Sequence, residues 1–299
     1  MRLYGVAMVR NEADIVEPFV RHAVATLDRL LVVDHRSDDG TRDILAALAR
    51  EGLPLEVGHD DLPSHRQSEV VTRLARTAFA QAADVVLPLD ADEFLKVPSR
   101  AALERTLHSL PAALCGALHW QTYVPDFDAR PDGWPAPALR RASEAHGLCK
   151  VVLTPAFRDA PAAVVAPGSH AVLMSGAAHD LARSPARLGL LPESVAALAH
   201  LPVRSAGQIT RKVAVGWAAH RAAAHADPSL AFHWRELAES FARDGPPDAR
   251  RLRDIAVNYG VPMDRWVDAA AIPLVRDPLV VAGARREASP ADGETRLRD

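Results

Sequence analysis

The sequence has few of the residues that mark several special classes of protein. Only Cys115 and Cys149 are cysteines among 299 residues, so a disulfide-stapled scaffold is not expected and a cytoplasmic, reducing compartment is predicted. Aromatic residues make up 5%, and 35 Lys and Arg stand against 38 Asp and Glu, for a formal charge of −3. Without a basic excess, the chain lacks the electrostatic footprint of a nucleic-acid-binding protein.

Long apolar runs are also missing. Residues 160–179 carry no charge, but Pro161, Pro167, Gly168 and Gly176 interrupt them, which argues against a membrane-spanning helix. The apolar start, residues 1–9, is too short for a signal peptide. We therefore expect no transmembrane segment, an expectation that leaves peripheral contact with the inner face of a membrane open.

The first 90 residues do show a regular alternation of strand and helix patterns. Strands and helices alternate over residues 3–9, 15–27, 30–33, 41–51, 55–58, 64–79 and 85–89. Thr41 can cap the second helix, and Ser64 to Gln67 form a capping box before the third. This alternation predicts an α/β fold with a mixed, mainly parallel sheet flanked by helices.

The pattern changes along the rest of the chain. Mixed short strands and turns extend to Val203, and an alanine-rich helical extension follows, with helices predicted at 206–225, 229–243, 248–259 and 262–270. The last 15 residues carry eight charges, which predicts a disordered tail. The expected organisation is a domain over 1–204, a helical extension over 205–284 and a tail over 285–299.

Polar clusters follow three of the predicted strands. They are Arg10-Asn11-Glu12, the segment from Asp34 to Thr41, and Asp90-Ala91-Asp92-Glu93. In a parallel sheet the carboxyl ends of the strands share one edge, so these clusters should converge on one cleft. Two carboxylates one residue apart suit a divalent cation that bridges phosphate oxygens, although a solvated loop explains a bare D-x-D equally well.

Taken together, these segments resemble the family 2-type glycosyltransferases of the GT-A fold. The resemblance is carried by the Asn11-Glu12 pair, His22, Asp34 with the polar turn after it, and Asp90-Ala91-Asp92-Glu93-Phe94. It covers roughly the first 100 residues, and residues 150–212 more loosely.

The resemblance implies a set of donor-binding and metal-binding residues. A nucleotide sugar would be bound by Arg10, Asn11, Glu12, Asp34, Arg66 and Asp90, with Arg204 and Lys212 neutralising its diphosphate, and a metal by Asp92, Asp90 and His200. Carboxylates, phosphate oxygens and one imidazole fit Mn²⁺ best, with Mg²⁺ as the alternative. His35 stands where many relatives have an acid, so the nucleobase stays open.

The function so implied is metal-dependent transfer of a hexosyl group, with inversion, from a nucleoside-diphosphate sugar to a hydroxyl of a glycan or small-molecule acceptor. Inverting transfer needs a carboxylate base, and no spacing chooses among Asp126, Asp128, Glu144 and Asp180. A catalytically inactive nucleotide-sugar-binding module is the main alternative. A phosphatase-like hydrolase with Asp90 as nucleophile fits less well, because three strands precede the motif.

Other residues give weaker indications. Lys150 and His170 also match recurring positions of this branch. Trp120, Tyr123 and Trp134 flank a Pro-rich loop, where they either form an acceptor wall or cover the core. His220, His225 and His233 are spaced by five and eight residues, unlike zinc ligands on a helix, and are expected at the surface.

Overall fold

The computed structural model describes residues 1–64, 66–128, 139–145, 147–174, 186–222 and 231–282. Its strands are β1 (Leu3–Val9), β2 (Arg29–Asp34), β3 (Leu55–His59), β4 (Val85–Pro88), β5 (Glu93–Lys96), β6 (Cys115–Val124), β7 (Leu139–Arg141), β8 (Cys149–Val152), β9 (Val164–Val165), β10 (Val172–Leu173), β11 (Leu188–Leu190), β12 (Ala197–His200) and β13 (Leu274–Arg276). Its α-helices are α1 (Val16–Thr26), α2 (Thr41–Arg50), α3 (Gln67–Ala80), α4 (Arg100–Ser109), α5 (Pro155–Arg158), α6 (Ala206–Arg221), α7 (Phe232–Asp244) and α8 (Ala249–Val257).

The amino-terminal sheet is parallel, with the strand order β3-β2-β1-β4. Every residue of β1 is buried, as expected of a strand that is covered on both faces. One apolar cluster gathers Phe19 and Leu45 of the flanking helices, and another gathers Val71 and Phe79 of α3. The α/β fold predicted from the alternation of strands and helices is confirmed.

Two helix starts differ from the sequence prediction. Gly40, at φ 95°, is the residue before α2, and Thr41 is inside the helix. The Thr41 hydroxyl instead accepts a hydrogen bond from the backbone N–H of Glu12 at 2.8 Å. Helix α3 begins at Gln67 without a side-chain cap, so the predicted capping box at Ser64 is wrong. The Thr41 side chain therefore joins the start of α2 to the loop after β1.

A second, mixed sheet continues the fold in the order β13-β7-β6-β12-β5, with β8 and β11 also paired to β6. Two backbone hydrogen bonds between Val86 and Leu153, at 2.8 and 2.9 Å, join it to β4. Strand β12 lies antiparallel to β5, and their register sets His200 opposite Glu93. The late histidine is thereby brought to the acids that follow β4.

The carboxy-terminal helices pack around their own apolar cluster, which includes Val213, Leu237 and Ile255. The predicted helix over 262–270 is wrong: two separate 3₁₀ turns, Met263–Arg265 and Ala269–Ala271, stand there. The backbone of Trp266 is extended, and the Asp268 side chain accepts a hydrogen bond from the Ala270 N–H and starts a new turn.

The predicted tail lies outside the described residues. No helix in the described ranges combines the length and apolarity that crossing a bilayer requires.

Candidate active site

A cavity of about 540 Å³ opens at the carboxyl ends of β1 and β4. Arg10, Asn11 and Glu12 line it after β1, and Asp90 and Asp92 line it after β4. The segment after β2 contributes only His35 to the lining. The predicted convergence is therefore found for the segments after β1 and β4, whereas the segment after β2 contacts the cavity only through His35.

Asp92 is at the centre of the polar floor and is 3% exposed. Its Oδ2 forms an ion pair with the Lys212 ammonium, and His200 Nε2 lies 3.9 Å from the same oxygen. Burial alone would raise the pKa of Asp92, but the neighbouring Lys212 charge holds it well below its usual range. Asp92 is therefore ionised at neutral pH.

His200 is 5% exposed, and burial lowers its pKa well below the usual value. A neutral imidazole is the form that binds metal ions. The backbone places it there, because Leu201 N donates to Asp92 O at 2.8 Å where β12 ends. Asp92 and His200 thus form a carboxylate–imidazole pair that faces the cavity.

Asp90 has both oxygens engaged. Lys150, 1% exposed, donates to Asp90 Oδ2 at 2.7 Å and lies 2.8 Å from Glu93 Oε2. Gln67 Nε2 donates to Asp90 Oδ1 at 2.8 Å, while Gln67 Oε1 accepts from Gly168 N at 2.9 Å. Burial raises the pKa of Glu93, and the two acids raise that of Lys150 beyond its ordinary value despite burial. Lys150 acts here as a buried counter-charge.

Arg204 does not face the cavity as an isolated cation. Its guanidinium pairs with Glu12 and, at 2.8 Å, with Asp14. These contacts join the loop after β1 to the segment after β12, across about 190 positions of the sequence. In this structure Arg204 fixes the position of Glu12, and Lys212 is the cation that lies beside Asp92.

The loop after β1 has an unusual backbone. Asn11 is in the left-handed region at φ 56°, which is uncommon for a residue other than glycine. Its N–H donates to Ser37 Oγ and its Oδ1 accepts from Asp38 N, both at 2.9 Å. Arg10 lines the cavity, and its buried Nε and Nη1 have no hydrogen-bond partner among the described residues. This guanidinium is available to a ligand.

Asp34 and Arg66 lie further from the lining. Asp34 is fully buried and its Oδ2 accepts from Arg42 Nε at 3.0 Å. Arg66 pairs with Glu69 and lies 3.7 Å from Asp60, and neither Asp34 nor Arg66 lines the cavity. Ring nitrogen Nε2 of His35 lies 2.7 Å from Leu62 O, so His35 is tied to the neighbouring loop.

The acids considered as bases are not among the lining residues that the structure describes. Glu144 accepts from the N–H and hydroxyl of Thr122, at 2.8 and 2.6 Å. Asp128 pairs with Arg253, and Asp126 accepts from Asp128 N at 3.1 Å. Asp180 lies outside the described residues.

Most residues on the opposite side of the cavity were not predicted from the sequence. The aromatic and histidine side chains that line it are Phe232, His233, Trp234 and Tyr259, together with Trp120 and His170.

Two of the three late histidines are not at the surface. His220 is 9% exposed and His233 faces the cavity, so their expected surface positions are wrong; His225 lies outside the described residues. Tyr123 belongs to the core at 0% exposure, while Trp134 is not described. The signal available was the aromatic run from Phe232 to Trp234.

The side chains that could coordinate a metal ion fit a divalent cation in part. Among the described residues, no group of three or more His, Cys, Asp and Glu side chains is arranged to hold a metal ion. Asp92 and His200 supply one carboxylate and one neutral imidazole, whereas Asp90 is held by Lys150 and Gln67. A cation bound by few protein ligands and completed by substrate phosphates is common for Mg²⁺. The pair fits such a shared site.

Comparison with known proteins leaves the family open. No protein-family model matches the sequence, and no curated protein matches it. A mannosyltransferase from Pyrobaculum calidifontis, solved with GDP-Man and Mn²⁺, is 17% identical, over 90% of this chain and 77% of that chain, with a TM-score of 0.38.

Two further solved structures are similar over shorter parts. Glucosyl-3-phosphoglycerate synthase from Mycobacterium tuberculosis, solved with Mn²⁺ and UDP, is 18% identical over 40% of this chain, with a TM-score of 0.28. The chain spans 43% of the length of that synthase. A 4-diphosphocytidyl-2C-methyl-D-erythritol synthase is 17% identical over 64% of this chain and 87% of that chain, with a TM-score of 0.34. Likenesses of this size establish neither family nor activity, and the architecture follows from the chain's own strand order.

Proposed function

We propose that this protein is a metal-dependent glycosyltransferase of the GT-A fold that transfers a hexosyl group from a nucleoside-diphosphate sugar to an acceptor hydroxyl. The observation that carries the proposal is the floor of the cavity, where an ionised Asp92, a neutral His200 and the Lys212 ammonium meet at one carboxylate oxygen. A carboxylate and an imidazole suit a cation, and an ammonium suits a phosphate.

The donor would lie along the strand ends. Arg10 presents unpartnered guanidinium nitrogens for the nucleoside or its phosphates, since arginine binds such planar and anionic groups well. Asn11, Glu12 and Asp34 belong to the proposed donor-binding set; Asn11 and Glu12 line the cavity, and Arg204 holds Glu12 in place. Arg66 and Asp90 complete the proposed donor-binding set from the start of α3 and the end of β4.

Asp92 and His200 would hold the divalent cation, Mn²⁺ or Mg²⁺, with Asp90 close behind Asp92. When bound, the cation neutralises charge on the departing nucleoside diphosphate. Lys212 is positioned to add a second positive charge to the same phosphates once its ion pair with Asp92 is exchanged. Positive groups placed where negative charge develops in the transition state often make the largest single contribution to the rate enhancement.

The acceptor hydroxyl must lose its proton as its oxygen attacks C1 of the donor sugar. Inversion is the outcome we propose, with the base drawn from the acids that follow the D-x-D or from histidines of the lining. The three lining carboxylates Glu12, Asp90 and Asp92 each pair with a cation. The Lys212 charge lowers the pKa of Asp92 and weakens it as a base, whereas burial raises the pKa of Glu12.

Thermal unfolding with UDP and GDP, each with and without Mn²⁺, tests the proposal. A ligand that binds only the native state at 100 times its Kd stabilises it by about 2.7 kcal/mol. We expect stabilisation by at least one nucleoside diphosphate, and only with the metal. No stabilisation by either would exclude these two donors, and the same result with ADP, CDP and dTDP would contradict the proposal.

Turnover then separates an enzyme from an inactive binding module. Release of nucleoside diphosphate from UDP-glucose or GDP-mannose is expected from the transferase, whereas binding without release would indicate the module. The phosphatase-like alternative is disfavoured because Lys150 and Gln67 occupy both oxygens of Asp90. Hydrogen bonds and an ion pair to both oxygens reduce the nucleophilicity of a carboxylate.

A further inference from the structure

The side of the cavity that faces the strand ends is an aromatic wall, formed by Phe232, His233, Trp234 and Tyr259. The first three are at the start of α7, and Tyr259 follows α8. A Cβ atom built on Gly216 of α6 would meet the Trp234 indole at 2.9 Å. The absence of a side chain at Gly216 therefore lets the indole pack directly on α6 while it lines the cavity.

The aromatic wall is continuous with the polar floor. The ring centroids of Trp120 and His200 are 4.0 Å apart, those of His200 and Tyr259 are 5.7 Å apart, and His233 is 5.3 Å from both Tyr259 and Trp234. These spacings are those of aromatic rings in contact. A molecule on the wall would therefore lie next to the Asp92–His200 pair.

Charge is distributed unevenly between the two sides. Among the described lining residues, the carboxylates are Glu12, Asp90 and Asp92, all at the strand ends, whereas Arg211 and Lys212 line the cavity from α6. The four residues of the wall include no carboxylate, and the Lys212 ammonium lies 5.8 Å from the centroid of the Tyr259 ring. The wall suits a neutral or acidic molecule.

His233 gives the wall a polar edge. Within the described part of the chain its ring nitrogens have no hydrogen-bond partner, and burial, with Lys212 and His170 nearby, lowers its pKa to about 4. The ring is therefore neutral and offers one donor and one acceptor nitrogen. Tyr259 adds a hydroxyl. Apolar ring faces with polar edges match a sugar, which has C–H faces and a rim of hydroxyls.

We propose that the aromatic wall is the acceptor subsite, that it binds the ring of a neutral or acidic sugar through Trp234, and that His233 hydrogen-bonds an acceptor hydroxyl. The assignment of the wall as an acceptor subsite rests on the proposed transferase function, whereas the binding of a sugar at the wall does not.

Ligand-observed NMR on the full chain, with diamagnetic Mg²⁺ and the stabilising nucleoside diphosphate, provides the first test. The probes are the methyl glycosides of glucose, mannose and glucuronic acid, with cyclohexanol as an apolar comparison. We expect saturation transfer to the ring C–H protons of at least one glycoside and weaker transfer to cyclohexanol. Binding of cyclohexanol alone, or of no glycoside, would overturn the sugar assignment.

A matched pair of glycine variants places the binding. Gly216→Ala adds one methyl group against the Trp234 indole, whereas Gly207→Ala adds it on the same helix where nothing lies within 4 Å. Alanine favours helix at both positions, so both variants should fold. Gly216→Ala should weaken glycoside binding by about threefold to tenfold and Gly207→Ala should not. Equal affinities in the two variants would remove Trp234 from the subsite.

His233→Phe keeps an aromatic ring and removes the polar edge. We expect glycoside affinity to fall by about threefold to tenfold, with nucleoside diphosphate affinity within twofold of wild type. Unchanged glycoside affinity would overturn the role of His233. Glycoside binding in a protein that binds no nucleoside diphosphate would retain the sugar site and overturn its acceptor role together with the transferase function.

Discussion

Nε2 of His200 lies 3.9 Å from Oδ2 of Asp92, although 108 positions separate the two residues. The antiparallel register of β12 and β5 sets His200 opposite Glu93, so the fold brings together two halves of the chain. The imidazole is neutral and the carboxylate is charged, because burial lowers the pKa of His200 while nearby cations lower that of Asp92. Such a pair is suited to holding a cation rather than to forming a salt bridge.

The first prediction concerns Asp92. Asp92→Asn should abolish the metal-dependent part of nucleoside diphosphate binding, because the amide carries no charge for the cation. Asp90→Asn should weaken it less, since Lys150 already neutralises that carboxylate. Calorimetry with and without Mn²⁺ measures both, and circular dichroism confirms the fold. Metal-dependent binding that survives in Asp92→Asn would remove Asp92 from the metal site.

The second prediction concerns Lys212. Lys212→Met should weaken nucleoside diphosphate binding by about 1.5–3 kcal/mol, the value of a charge-assisted hydrogen bond. Binding of the free nucleoside should change little, because the ammonium lies beside the proposed phosphate position. Calorimetry with uridine and UDP, or guanosine and GDP, gives the difference. An equal loss for nucleoside and diphosphate would show that Lys212 acts through folding alone.

The sequence correctly predicted which polar residues follow the carboxyl ends of β1 and β4, and the reason is physical. The alternation of buried strands and amphipathic helices fixes a parallel sheet, and such a sheet places Arg10, Glu12, Asp90 and Asp92 at one edge. The capping box failed because a local pattern competed with a distant partner. Gln67 hydrogen-bonds Asp90 and Gly168, and no local spacing encodes that choice.

Partners far apart in sequence were not predictable for the same reason. His22, singled out as a family feature, lies 2.7 Å from Leu95 O through Nε2, and its Nδ1 accepts from Ala282 N at 3.1 Å. It joins the start of the chain to its carboxy-terminal part and does not line the cavity. Arg204 pairs with Glu12 and Asp14 in the same way. Periodicity identifies elements, whereas side-chain partners depend on how the elements pack.

The third prediction concerns stability. Lys150→Met leaves Asp90 and the buried Glu93 without their shared cation, and removing one partner of a buried pair costs about 3–5 kcal/mol. Adding Glu93→Gln should recover part of that loss, because without Lys150 the buried Glu93 must bind a proton to stay neutral, whereas an amide is neutral already. Urea unfolding of the single and double variants gives both values. A single-variant loss below about 1 kcal/mol would show that water reaches the pair.

The last prediction concerns pH and the buried histidines. Burial lowers the pKa of His22, and it lowers that of His233 to about 4. A histidine with a lowered folded-state pKa binds more protons when unfolded, so the free energy of unfolding should fall as pH drops below about 6.5. Each such group contributes at most about 1.4 kcal/mol per pH unit. Urea unfolding between pH 7.5 and 5 should show this slope, reduced in His233→Gln and unchanged for the exposed His108→Gln. Equal slopes in wild type and His233→Gln would mean that His233 is protonated as readily in the folded chain as in the unfolded one.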